Sequence, residues 1–192
     1  MAQQAPAVVI CTTPSVSLRP GISSLNARFS GRFGAAARGA LFALAFAAAS
    51  PLHAQSNNVR ISKLSDVAFG AIANVGADAT NSQSLCIYAN TANQGYRITA
   101  SGSAPGGAFS LTSGSFLLNY EVQWNQSPSQ SSGTQLSPNV TLTGLISSAT
   151  QQTCNSGPAT TASLILVLRS SELSNARAGS YSGTLTLLVG PE

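Results

Sequence analysis

Charge is scarce in this chain: Asp, Glu, Lys and Arg make up 7% of its 192 residues, against roughly 25% in an average soluble domain. Histidine is scarcer. The single one, His53, sits just behind an apolar run, so residues 55–192 hold no imidazole to act as general base, triad partner or metal ligand. The many serines therefore have nothing to activate them by triad logic. Spacings for a zinc site, an EF-hand, a P-loop or a dinucleotide fold are missing, and the Gly-rich SAPGGA at 103–108 lacks the lysine of a phosphate cradle. Asp66 and Glu121 could meet as a glycosidase-like pair, but nothing in their spacing favours this over solvated surface carboxylates. The sequence thus reads as non-enzymatic, with no catalytic residue, cofactor or metal.

Acidic residues are absent from residues 1–54, which carry Arg19, Arg28, Arg32 and Arg38. The rest sets Arg60, Lys63, Arg97, Arg169 and Arg177 against Asp66, Asp78, Glu121, Glu172 and Glu192, and is neutral. The formal charge of +4 therefore belongs to the leading segment, and the later part has no basic footprint for nucleic acid. Within the leading segment, GALFALAFAAA at 39–49 follows the arginines and precedes Ser50-Pro51-Leu52-His53-Ala54. Basic, then apolar, then small is the pattern of a secretory signal peptide, with cleavage expected between Ala54 and Gln55. The apolar run is too short to span a bilayer, which takes about 20 residues, and no membrane span is expected after cleavage. The segment is also Arg- and Ser-rich like an organellar transit peptide, but its compact apolar stretch favours export. Its basic region is long, and a non-Met start nearer Arg28 is an open alternative.

Cysteine is sparse too. Cys11 falls in the leading segment, leaving Cys86 and Cys154. An even pair in an oxidising compartment predicts one disulfide; the alternative is two unrelated buried thiols.

What the chain has in abundance is period-2 alternation. Strands are expected over 84–89, 96–101, 109–112, 117–124, 140–145, 162–168 and 181–189. Turn-rich stretches at 102–107, 126–138 and 154–161 separate them, and Ser171 to Ala178 offers one helical turn. Seven or eight short strands predict an all-β, immunoglobulin-like β-sandwich. The expected organisation is a presequence at 1–54, a short extension at 55–63 and one domain at 64–192. Trp124, Tyr120, Tyr96 and Tyr88 could form a sugar-binding platform, although their alternation with polar residues favours core packing.

Four pieces in order resemble the spore coat protein U domain family, which includes the subunits of archaic chaperone–usher pili. They are Phe69-Gly70 in LSDVAFGAI, SLCIYA with GYRITASGS at 84–103, LLNYEVQW at 117–124, and AGSYSGTLTLLV at 178–189. The family commonly has a cysteine on its first strand, which NNVRISKLSD lacks. The resemblance implies a pilin-like sandwich with an incomplete edge, filled first by a periplasmic pilus chaperone and then by a neighbouring subunit's strand, with an outer-membrane usher as a further partner. It implies an acceptor groove along Tyr181, Leu185, Leu187 and Val189, and a donor strand before the domain, where Val59 and Ile61 alternate. The expected function is then a structural subunit of a surface pilus or fibre, serving adhesion or biofilm formation and passing through the periplasm to the cell surface. Alternatives are a stand-alone secreted coat or matrix protein and a carbohydrate-binding adhesin module.

Overall fold

The computed structural model describes residues 57–192 and, for the course of its backbone, residues 7–16. The apolar run at 39–49 and the Ala54–Gln55 cleavage point lie outside the described residues. In chain order the elements are β1 (Ala7–Val16), β2 (Asn58–Ser62), β3 (Val67–Ala71), β4 (Ala79–Asn90), β5 (Gly95–Gly102), β6 (Ser110–Ser113), β7 (Phe116–Asn119), β8 (Glu121–Asn125), β9 (Thr134–Leu136), β10 (Thr141–Ile146), β11 (Ala162–Leu168), the short helix α1 (Ser170–Asn175) and β12 (Ser180–Pro191).

These strands form an all-β sandwich of two packed sheets. The first runs β10-β5-β12-β1-β3, with the β6–β7 hairpin joined to β12; the second runs β2-β4-β11-β8-β9. The second sheet is antiparallel throughout. The first contains one parallel pair, β1 with β12.

Strand alternation explains the core. On β5, Tyr96, Ile98 and Ala100 are buried, and Tyr181, Leu185, Leu187 and Val189 do the same on β12. They share one apolar core with Leu164, Leu166 and Leu168 of the opposite sheet. β11 is buried along its whole length, as its unbroken apolar run predicts. Its outer side is covered by the Ser/Gln/Pro-rich loop, where Gln130 N–H donates to Ser163 Oγ at 3.0 Å and Ser163 Oγ donates to Ser127 O at 2.8 Å.

The expected strand at 117–124 is two strands. β7 pairs with β6 in the first sheet, whereas β8 pairs with β11 in the second. The chain changes sheets at Tyr120, whose N–H donates to Phe109 O at 3.0 Å. Alternation survives the corner because Leu118, Tyr120, Val122 and Trp124 all point into the same core. Trp124 Nε1–H donates to Tyr96 Oη at 3.1 Å, and the two rings meet edge-on at 6.4 Å, tying β8 to β5 across the sandwich. Trp124 is 1% exposed, so it is a core residue and does not form the sugar platform.

Cys86 on β4 and Cys154 in the loop before β11 form a disulfide, with Cα atoms 6.0 Å apart. A crosslink over 68 residues stabilises by about 4 kcal/mol in the chain-entropy model.

Candidate functional site

The feature that stands apart in this sandwich is the edge of β12. On one side β12 pairs antiparallel with β5, from Leu185↔Gly102 to Pro191↔Tyr96. On the other side its neighbour is β1, parallel, in ten consecutive register pairs from Ala7↔Ser180 to Val16↔Val189. β1 in turn pairs antiparallel with β3, from Ala7↔Ala71 to Ile10↔Val67. The strands β12 and β3 thus flank a slot one strand wide, and residues 7–16 fill it.

Each wall has its own anchor. β12 is held by β5, and by Tyr181, whose hydroxyl donates to Arg177 O at 3.0 Å. That back-bond resembles the tyrosine corner of immunoglobulin-like sandwiches. β3 is held to the second sheet by side chains. Asn81 Nδ2 donates to Ala68 O at 2.9 Å, and Gln83 Oε1 accepts from Ser65 N–H at 3.0 Å. The register between β1 and β3 slips at Phe69-Gly70, so that Val8 faces Gly70 and Val9 faces Ala68. Gly70 has φ +67 there, a left-handed conformation that suits glycine and makes a bulge. The Phe-Gly pair singled out in the sequence is therefore the bulge of the slot's outer wall.

The expected acceptor residues Tyr181, Leu185, Leu187 and Val189 lie together on β12, all 1% exposed or less. The expected donor residues do not form a free extension. Val59 and Ile61 lie on β2, which pairs with β4 from Asn58↔Asn90 to Ser62↔Cys86. Both are buried, and β2 packs beneath β12 and β1 as the floor of the slot. Part of the stretch expected to be an extension, residues 58–62, is therefore a strand of the sandwich. The reason is local: Lys63, which interrupts the alternation, takes φ +62 and turns the chain out of β2. Its Nζ then donates to Cys154 O at 3.0 Å and Ala159 O at 2.8 Å, pinning the loop beside the disulfide.

The carboxylates Glu121 and Asp78 share one cation, Arg169. The Ser170 backbone N–H, followed by the Arg169 guanidinium, holds the Asp78 carboxyl below its ordinary 3.8. Glu121 and Asp78 in turn raise the basicity of Arg169. The arrangement fastens α1 and the end of β11 to β4 and β8. Burial pushes the Tyr96 and Tyr120 hydroxyls up to about 12 each. Among the described residues no cluster of His, Cys, Asp and Glu could hold a metal, and no helix is long and apolar enough to cross a membrane.

No protein-family model matches the sequence, and no curated protein is significantly similar to it.

Proposed function

We propose that the exported chain is a structural subunit of a surface pilus or fibre, and that the slot between β12 and β3 accepts a strand from a partner. The observation that carries this reading is the source of the strand in the slot. Residues 57–192 build every other part of the sandwich, but the joint between β12 and β3 is made by residues that the expected cleavage removes. After that cleavage β12 presents a long open edge over an apolar floor. Such an edge is costly to leave in water and prone to indiscriminate pairing. A partner strand cures both by β-augmentation: backbone hydrogen bonds supply affinity, and alternate side chains fill the groove.

The partners that suit this chemistry are a periplasmic chaperone lending a strand, an outer-membrane usher, and neighbouring subunits. The resemblance to the spore coat protein U and archaic pilin family points the same way through Phe69-Gly70 and the β12 motif. Adhesion or biofilm formation follows as the service of such a fibre. The test is to shear the surface of producing cells and compare unboiled with boiled samples in SDS. With β2 held inside the sandwich, the cleaved chain keeps no free donor strand of its own, so the expected result is an unboiled complex that boiling resolves into a band the size of residues 55–192 and a partner's band. A single band of that size in both lanes overturns strand acceptance from a partner.

A further inference from the structure

We infer that Ala7–Val16 is the slot's own occupant: a self-complementing strand that keeps the uncut chain closed to donors from other molecules. This rests on the reading that the slot accepts partner strands, and it adds when that becomes allowed.

Three observations carry it. First, the β1–β12 register runs from Ala7↔Ser180 to Val16↔Val189 without a shift, so β1 covers the whole stretch of edge that holds Tyr181, Leu185, Leu187 and Val189. Second, β1 also reaches the far wall, pairing with β3 at Ala7–Ile10, so it closes the sheet and does not merely lengthen it. Third, the composition fits a buried central strand. AVVICTTPSV carries no charge and is rich in β-branched residues. The residues in register with Tyr181, Leu185, Leu187 and Val189 are Val8, Thr12, Pro14 and Val16. Proline lacks a ladder donor, and it falls where β1 has passed the end of β3 and has β12 alone as a neighbour.

The covalent arrangement makes this occupancy conditional. While the chain is whole, β1 is tethered to β2 and meets the slot at an effective concentration on the order of mM. At equal intrinsic affinity a free donor at micromolar concentration is then at a disadvantage of about a thousandfold. Hydrolysis of the Ala54–Gln55 peptide bond by a signal peptidase adds one water across that bond and cuts the tether. β1 then becomes a separate peptide that dilutes away, and the slot opens. Processing would thus set the order of events: closed precursor first, strand acceptance second.

The chain provides its own probe, because Cys11 is in register with Thr184. Neighbouring strands about 5 Å apart suit the Cα spacing of a disulfide. Full-length T184C under mild oxidation should form a bond from Cys11 to position 184 within a monomer, mapped by non-reducing digestion and mass spectrometry. Full-length L188C, four residues further along, should give about tenfold less crosslink to Cys11. Equal yields at the two positions, or none at 184, overturn the proposal. In a second arm, a protease site is placed between residues 19 and 54 of the full chain, which is folded before cutting. A labelled peptide of sequence 7–16 should be taken up after the cut and not before. Uptake before the cut, or none after it, also overturns the proposal. The two readings fail separately. A crosslink at 184 without an SDS-stable complex with a partner removes fibre assembly and leaves the cis strand, whereas such a complex without the crosslink does the reverse.

Discussion

The two sheets of this sandwich are built on different terms. The second draws all five strands from residues 58–168 in antiparallel pairs and is stapled at Cys86–Cys154. The first gathers its strands from residues 7 to 191 and depends, between β12 and β3, on a strand from far upstream. One sheet is complete once its own residues are present; the other is complete only with residues 7–16. The difference teaches where the sandwich has the fewest local ties: at the joint between β12 and β3, which is where the proposed strand exchange is placed.

Removal of residues 1–18 should break this comparison most visibly. Amide exchange should rise by orders of magnitude at β3 and along the Ser180–Val189 edge, where ladder bonds to β1 are lost, and stay slow in β4, β8 and β11. Uniform acceleration in both sheets would mean that the second sheet is not self-sufficient. Next in size is the staple. C86A with C154A should lower unfolding free energy by about 4 kcal/mol, seen as a lower denaturant midpoint. Proteolysis of the 147–161 loop should increase while β12 keeps its protection.

The smallest effect sharpens the contrast at the corner between the sheets. Tyr120 Oη is buried without a hydrogen-bond partner among the described residues. Y120F should therefore change stability at neutral pH by less than about 0.5 kcal/mol. Its signature lies in alkali. The folded hydroxyl is raised to about 12 from 10, so its contribution is whole below pH 10 and is lost as pH rises through about 12. Y120F should remove part of the stability loss across that window, and Tyr96, raised for the same reason, should account for another part.

Much of the second sheet and of β12 was legible in the sequence, because their strands bury one face and alternate. Ala162–Leu168 was expected residue for residue, and the Cys86–Cys154 bond followed from counting. What escaped notice had physical reasons. β9 is three residues long inside a loop rich in Ser and Gln, too short for a period to register. β3 carries a bulge that breaks its alternation at Gly70. Val59 and Ile61 did show their alternation, but a pattern two apolar residues long does not say which molecule's core it enters. The alternation that buries Tyr181, Leu185, Leu187 and Val189 on β12 was visible in advance, but not which strand lies beside it. The slot's occupant was not, because residues 1–54 read as a presequence, and a presequence is ordinarily excluded from the fold.

The register between β1 and β12 also has a consequence in time. Residues 7–16 are synthesised early, yet the edge they fill lies at 180–189. Nearly the whole chain must emerge before that ladder can form, and contacts so distant in sequence are slow to find each other. The second sheet, finished by residue 168, can condense first and wait. For that interval the growing protein carries an unsealed seam, which closes only when the last strand to be made meets one of the first.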